Sequence, residues 1–350
     1  MNGILTVARL EFRLRIRAGR WRWLVGAWFV VLAVVTWLVR NAAAQPNVFG
    51  TDVQAERTLG AVMFGVVVLV VLALALLVAP ALAAQSVNGD RERGTLATLQ
   101  VTRLRASEIA LGKLVASWGT ALVFLAVTLP LALWCYVEGG LSVIRVAGVY
   151  LVTALLLGVV CAISLGLSAL LARSTTSGVL AYLTVFALSA GTAIAFGLVT
   201  ASTQQEVTAI SRSCDPSGRN CIDDPYRTTI ARPDRTWWLV APNPFAVLAD
   251  SAPAGPVRQI RLPNGDVIKE PADVDVLGSL SRSLHRIRAT PAALQDENGT
   301  SYGVPPGVTG GPVWPLGLGI DLALAAGALW IATIRLRTPT TRLARGQRIA

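Results

Sequence analysis

Charged side chains are scarce in this sequence, and a compact group of them lies between two long apolar runs. Asp90, Arg91, Glu92 and Arg93 stand in succession, followed by Gly94, Thr95, Leu96 and, three residues on, Leu99. Alternating charges make a solvated turn, a glycine lets the chain change direction, and leucines at i and i+3 form a short apolar edge. Ser107 is placed to cap the helix that follows, with Glu108 in its first turn. Such a set suits docking on another protein through a polar rim and a shallow apolar pocket. An ordinary solvated turn would account for the charges, though not for their combined spacing with the glycine and the leucines.

Three other places hold groups capable of chemistry. Asp321 is a lone carboxylate inside an apolar run, where an unpaired charge costs roughly 3 kcal/mol on insertion scales. It follows Gly317 by four residues and precedes Ala325 by four. Two readings stay open for it: a hydrogen-bonded carboxylate at a helix contact, or a coupling or substrate site. Cys214 and Cys221 are close enough to close a short disulfide loop, with two unpaired thiols as the alternative. His285 is the only histidine, expected on the surface of an amphipathic helix, and without close Cys/His pairs no metal site is expected. The patterns HExxH and GxxxxGK[ST] do not occur, so nothing points to a zinc protease or to ATP held in a P-loop. No cofactor of its own is expected.

Composition determines the elements that must position these groups. With 53% hydrophobic and 15% charged residues and a mean hydropathy of +0.57, the chain is unsuited to a surface facing water throughout. A bilayer core about 30 Å thick needs roughly 20 apolar residues per helix. Six runs qualify, at about 23–39, 59–84, 114–137, 146–171, 178–200 and 314–334. An open sheet would leave edge N–H and C=O groups without partners in lipid, so these read as helices. The fold class is therefore an all-α integral membrane protein with six transmembrane helices. Trp and Tyr cluster at the run ends, as headgroup-level residues do, and only Trp28 sits well inside a run. Small residues line the fourth run at Gly158, Ala162, Gly166 and Ala169 and the fifth at Ala187, Gly191 and Ala195, which predicts close helix packing.

Six spans put the N-terminus, 85–113, 172–177 and the C-terminus on one side, with 17 Lys or Arg against 3 in the short loops opposite. Positive charge resists translocation, so both termini are expected in the cytoplasm. The net charge of +11 then reflects topology, and nucleic-acid binding need not be invoked. Residues 1–22 predict an interfacial helix, with Arg9, Arg13 and Arg17 on one face and Leu5, Ala8 and Phe12 on another; a plain basic anchor is the alternative. The spans with their loop occupy 23–200. Residues 201–313 predict a small extracytoplasmic α+β domain: a hairpin over 257–268, a helix over 273–287 with Leu277, Leu280, Leu284 and Ile287 on one face, and a Gly/Pro linker over 298–312. The sixth span at 314–334 leads to a basic tail, 335–350.

The run Arg91-Glu92-Arg93-Gly94-Thr95-Leu96 with Leu99, followed by Glu108, Gly112 and Lys113, resembles the ABC-2 type permeases, the membrane subunits of ATP-binding-cassette exporters. Arg103 departs from that pattern, standing where many members have proline. The resemblance extends to six spans, a basic N-terminal helix and Ala241-Pro242-Asn243-Pro244-Phe245 before the last span. It implies that Asp90, Arg91, Glu92, Arg93, Gly94, Thr95, Leu96 and Leu99 form the contact with an ABC ATP-binding subunit, which binds the ATP. It also implies a second permease copy or a homologous permease, contact with membrane lipid and an exported substrate whose identity is open. High Ala, Arg and Val usage adds the expectation of a bacterial cytoplasmic membrane. A membrane-anchored receptor or scaffold that binds a ligand or partner through its extracytoplasmic domain is the alternative.

Overall fold

The computed structural model describes residues 2–17, 20–43, 53–92, 94, 105–214, 221–253, 255, 257–261, 267–271, 275–296, 299–304 and 308–337. It is mostly helical, and six of its helices are long and apolar enough to cross a membrane: Arg22–Ala43, Leu59–Glu92, Ala106–Val137, Val143–Leu170, Ser174–Ser202 and Trp314–Leu336. The expected spans match these to within a few residues, except that the second runs eight residues past the predicted 84 and the third begins eight residues before the predicted 114. Charged or polar residues at helix ends, such as Glu108, continue a helix past the apolar core that the sequence reveals.

The chain divides into two compact units. The first comprises residues 1–187, 252–277 and 319–350, and the second 188–251 and 278–318.

In the first unit the second span is the most enclosed helix, buried along Ala61, Phe64, Val68, Leu72 and Ala79. Its Gly60 permits a close approach that no side chain would allow: an added Cβ would lie 2.1 Å from the Cys135 carbonyl oxygen and 2.3 Å from that of Gly139. The third span breaks at Thr128, ahead of Pro130, into Ala106–Val127 and Leu129–Val137. Thr128 shares a hydrogen bond of 2.8 Å with the Tyr150 hydroxyl. The turn to the fourth span uses Gly139 and Gly140 at φ of 96° and 78°, and Ser142 caps that span by accepting from the Arg145 N–H. The small-residue stripe of the fourth span is packed as expected: an added Cβ on Gly166 would lie 2.7 Å from that of Ala328 in the sixth. The fifth-span stripe instead coincides with a π-helical turn, Ala187–Gly191, with no buried residue. Trp28 is accounted for by an edge-on contact with Phe124, ring centres 5.3 Å apart.

The N-terminal helix, Asn2–Arg17, buries Val7 and Ala8 while Leu5 is 61% exposed; it is docked on the third span, and that contact selects the buried face. One local expectation for this unit needs correction, the cap at Ser107. Ser107 lies inside the helix that begins at Ala106. The end is closed by Glu108, whose carboxylate accepts from the Arg105 N–H at 2.9 Å, because a glutamate at the third helical position can reach back to the cap.

Among the described residues the strands form two small antiparallel sheets. In the second unit β1 (Gln204–Cys214), β2 (Cys221–Ala231), β5 (Ala292–Asp296) and β6 (Gly299–Gly303) are ordered β2-β1-β6-β5. The long β1–β2 hairpin was not anticipated, since its strands are polar on both faces. Pro225 is accommodated because β2 is an edge strand. Likewise β6 occupies part of 298–312, read above as a linker; a Gly-rich stretch can form a strand when a neighbour supplies the hydrogen bonds. The predicted hairpin at 257–268 is present in the first unit as β3 (Val257–Arg261) and β4 (Val267–Pro271).

The second unit has its own apolar centre of Ala241, Ala246, Leu284 and Val313. Leu284 belongs to the helix Val276–Arg288, whose predicted apolar face holds except at Leu280, 40% exposed. Asp250 organises this region. Its buried carboxylate accepts from Ser281 Oγ at 2.9 Å and from the Val313 and Trp314 N–H groups at 2.6 and 2.8 Å, which caps the sixth span. His285, expected on the surface, has Nε2 at 2.6 Å from the same carboxylate, although the angle is not that of a hydrogen bond.

Candidate functional site

The charged segment between the second and third spans folds as a turn at 84–87 followed by a short helix, Asn88–Glu92. Val87 anchors it in an apolar cluster with Ile109 and Ala110 of the third span, Leu165 and Ala169 of the fourth, and Ala332 and Leu336 of the sixth. The Val87 and Asn88 N–H groups, which no preceding helical turn could satisfy, both donate to Ser168 Oγ at 3.2 Å. Ser177 Oγ donates to the Ala84 carbonyl at 2.8 Å. Hydroxyls on neighbouring spans thus supply partners for backbone groups at the helix break.

The predicted contact residues have distinct placements. Asp90 is half-buried and bonded to Lys113. Arg91 donates from Nη1 to the Leu171 carbonyl at 3.3 Å. Glu92 is exposed and accepts from the Ser174 N–H at 3.2 Å. Arg91 and Glu92 thereby hold the short turn between the fourth and fifth spans. Gly94 is exposed with φ of 70°, the left-handed backbone expected where the chain turns. Arg93, Thr95, Leu96 and Leu99 lie outside the described residues.

Lys113 is the residue that sequence reasoning undervalued. Its side chain is fully buried, and its ammonium donates to Glu11 Oε1 at 2.5 Å, to the Ser86 carbonyl at 2.9 Å and to Asp90 Oδ2. A lysine ammonium has three protons to donate, and each has an acceptor here. The available signals were weak: Lys113 opens a long apolar run, and Glu11 is the lone acid in an arginine-rich segment.

A second buried ion pair lies at the start of the fourth span. Arg145 and Asp275, each 2% exposed, are joined through Nη2, 2.7 Å from both carboxylate oxygens. Gly255 lies against them so closely that an added Cβ would come within 2.0 Å of Asp275 Oδ2.

Asp321 is 2% exposed, and its Oδ1 has no hydrogen-bond partner among the described residues. The hydrogen bond that one of its two readings required is therefore not formed at that oxygen. Cys214 and Cys221 face each other as the last register pair of β1 and β2; their side chains lie outside the described set, so their pairing is a proposal taken up below. Among the described residues no group of three or more His, Cys, Asp or Glu could hold a metal ion.

The family model described as ABC-2 family transporter protein matches residues 5–227. No curated protein matches the chain.

Proposed function

Because the chain belongs to the ABC-2 family of transporter membrane proteins, whose members are membrane subunits and not ATPases themselves, we propose that it is the permease of an exporter driven by a separate ATP-binding subunit docked on Asn88–Glu92 and the residues after it. The observation that carries this reading is the mounting of that segment. One short helix is joined to the third span through Lys113, to the fourth through Ser168 and to the turn before the fifth through Arg91 and Glu92. Force applied to such a helix reaches three spans at once. A solvated turn of the same charge would not transmit it.

In this reading the basic loops and both termini face the cytoplasm of a bacterium, the strands at 204–231 and 292–303 lie outside, and a second permease copy or a homologous permease completes the path. The oxidising outer side allows Cys214 and Cys221 to bridge.

The test is purification of the tagged chain from its native membranes. An ATP-binding subunit is expected to accompany it and to be lost when Arg93→Glu and Leu96→Ala are combined. Transport by the purified chain with no ATPase present would overturn the proposal.

A further inference from the structure

We infer that the N-terminal helix is a driven part of the coupling assembly, latched through Lys113 so that displacement of Asn88–Glu92 is delivered to it as well as to the third span. This inference rests on the coupling role proposed above and extends it to a segment that the sequence reads as an interfacial helix or a plain basic anchor.

Three observations carry it. First, Glu11 and Asp90 belong to separate elements and would repel one another if brought together without a cation, yet both bond the same buried ammonium. Second, the ammonium is saturated by Glu11, Asp90 and the Ser86 carbonyl, so a shift of Asp90 cannot be absorbed by a spare donor. It must drag Lys113 or break a bond to an ammonium whose side chain is itself fully buried, and a buried charge left unmatched is strongly disfavoured. Third, the helices touch at backbone distance beside the latch: an added Cβ on Gly112 would lie 2.7 Å from Val7 Cβ and 3.1 Å from the Ile4 carbonyl oxygen. Packed interfaces of this kind move as units, since they have discrete arrangements and little capacity for gradual deformation. Lys113 is thus a positioning residue, acting on the N-terminal helix through Glu11.

The experiment uses the full chain co-expressed with its ATP-binding subunit in lipid nanodiscs. Single cysteines are placed at Leu5, exposed on the N-terminal helix, and at Gln85, exposed in the turn before the short helix. N-Ethylmaleimide labelling is followed by peptide mass spectrometry with and without ATP plus orthovanadate. A several-fold change in labelling rate on trapping is expected at both positions. In Glu11→Gln, which leaves the Lys113–Asp90 bond intact and is the milder variant, the change at Leu5→Cys is expected to vanish while that at Gln85→Cys remains. Lys113→Gln is expected to remove the Leu5→Cys response as well. If Gln85→Cys responds to trapping and Leu5→Cys does not, the latch is refuted and the coupling role stands. A Leu5→Cys response that survives both variants also refutes the latch. If no ATP-binding subunit assembles, or neither position responds, the coupling role itself fails and the inference falls with it.

Discussion

Two buried cations tie neighbouring segments of the first unit to its spans, and they do so differently. Lys113, at the start of the third span, meets two carboxylates and a carbonyl with all three protons. Arg145, at the start of the fourth and so at the opposite end of the spans, meets one carboxylate, and its Nε and Nη1 have no partner among the described residues. A compact ammonium can be saturated by three acceptors gathered at a point, whereas a planar guanidinium needs partners spread around a fork. The first arrangement draws acceptors from three elements onto one atom and suits a junction. The second is a two-ended clasp between the fourth span and the approach to the helix at Val276.

The sharpest way to break this comparison is to remove each charge. Lys113→Met leaves Glu11 and Asp90 facing one another, and Asp275→Ala leaves the Arg145 guanidinium alone. Each should lower stability by about 3–5 kcal/mol in detergent thermal unfolding. Replacing Glu11 and Asp90 by their amides should recover a good part of the Lys113→Met loss, whereas Asp275→Ala should be relieved only by changing Arg145 itself. Equal rescue by any neighbouring change would erase the distinction between junction and clasp.

A smaller effect contrasts enclosed and open spans. Gly60→Ala drives a methyl into two carbonyl oxygens and should cost about 1–3 kcal/mol or more. Gly26→Ala, with nothing within 4 Å of the added atom, should change stability by less than about 1 kcal/mol in the same assay. Comparable losses would mean that the first span is packed as tightly as the second.

Covalent closure is proposed for the hairpin. With Cys214 opposite Cys221 in the register, reduction should add two hydrogens to the intact mass. The double serine variant should lose about 2 kcal/mol of hairpin stability, seen as faster hydrogen exchange in β1 and β2. An unchanged mass on reduction rules the bridge out.

The smallest expected effect is at Asp234, whose hydrogen bond from Arg232 holds its carboxyl below the ordinary aspartate value. A lowered folded value means that the contribution is complete above the unfolded value of about 4 and fades as pH falls through the folded one. It should amount to less than about 1 kcal/mol and disappear in Asp234→Asn, with stability measured from pH 6 downwards. Loss of stability on raising the pH instead would contradict the assignment.

Much of the fold is legible in the sequence because lipid imposes a local rule: every backbone group must be satisfied within its own segment, so each apolar run reports its helix directly. The docking segment was legible for a similar reason, since consecutive charges followed by glycine state a turn locally. The β1–β2 hairpin was not, because strands polar on both faces carry no alternation to read. Ser107 was misassigned because cap geometry, and not periodicity, decided its surroundings.

By itself, then, the amino-acid sequence determined the helical class, the six runs long enough to span a bilayer and the place of the charged segment, all of which depend on neighbours within a few residues. Only the tertiary structure decided that Glu11, Ser86, Asp90 and Lys113 meet at one buried ammonium, that Arg145 finds Asp275, and that Asp321 keeps an oxygen unpartnered among the described residues. Those outcomes depend on which helices touch, and these buried charges take their meaning from partners 102 and 130 residues away in the chain.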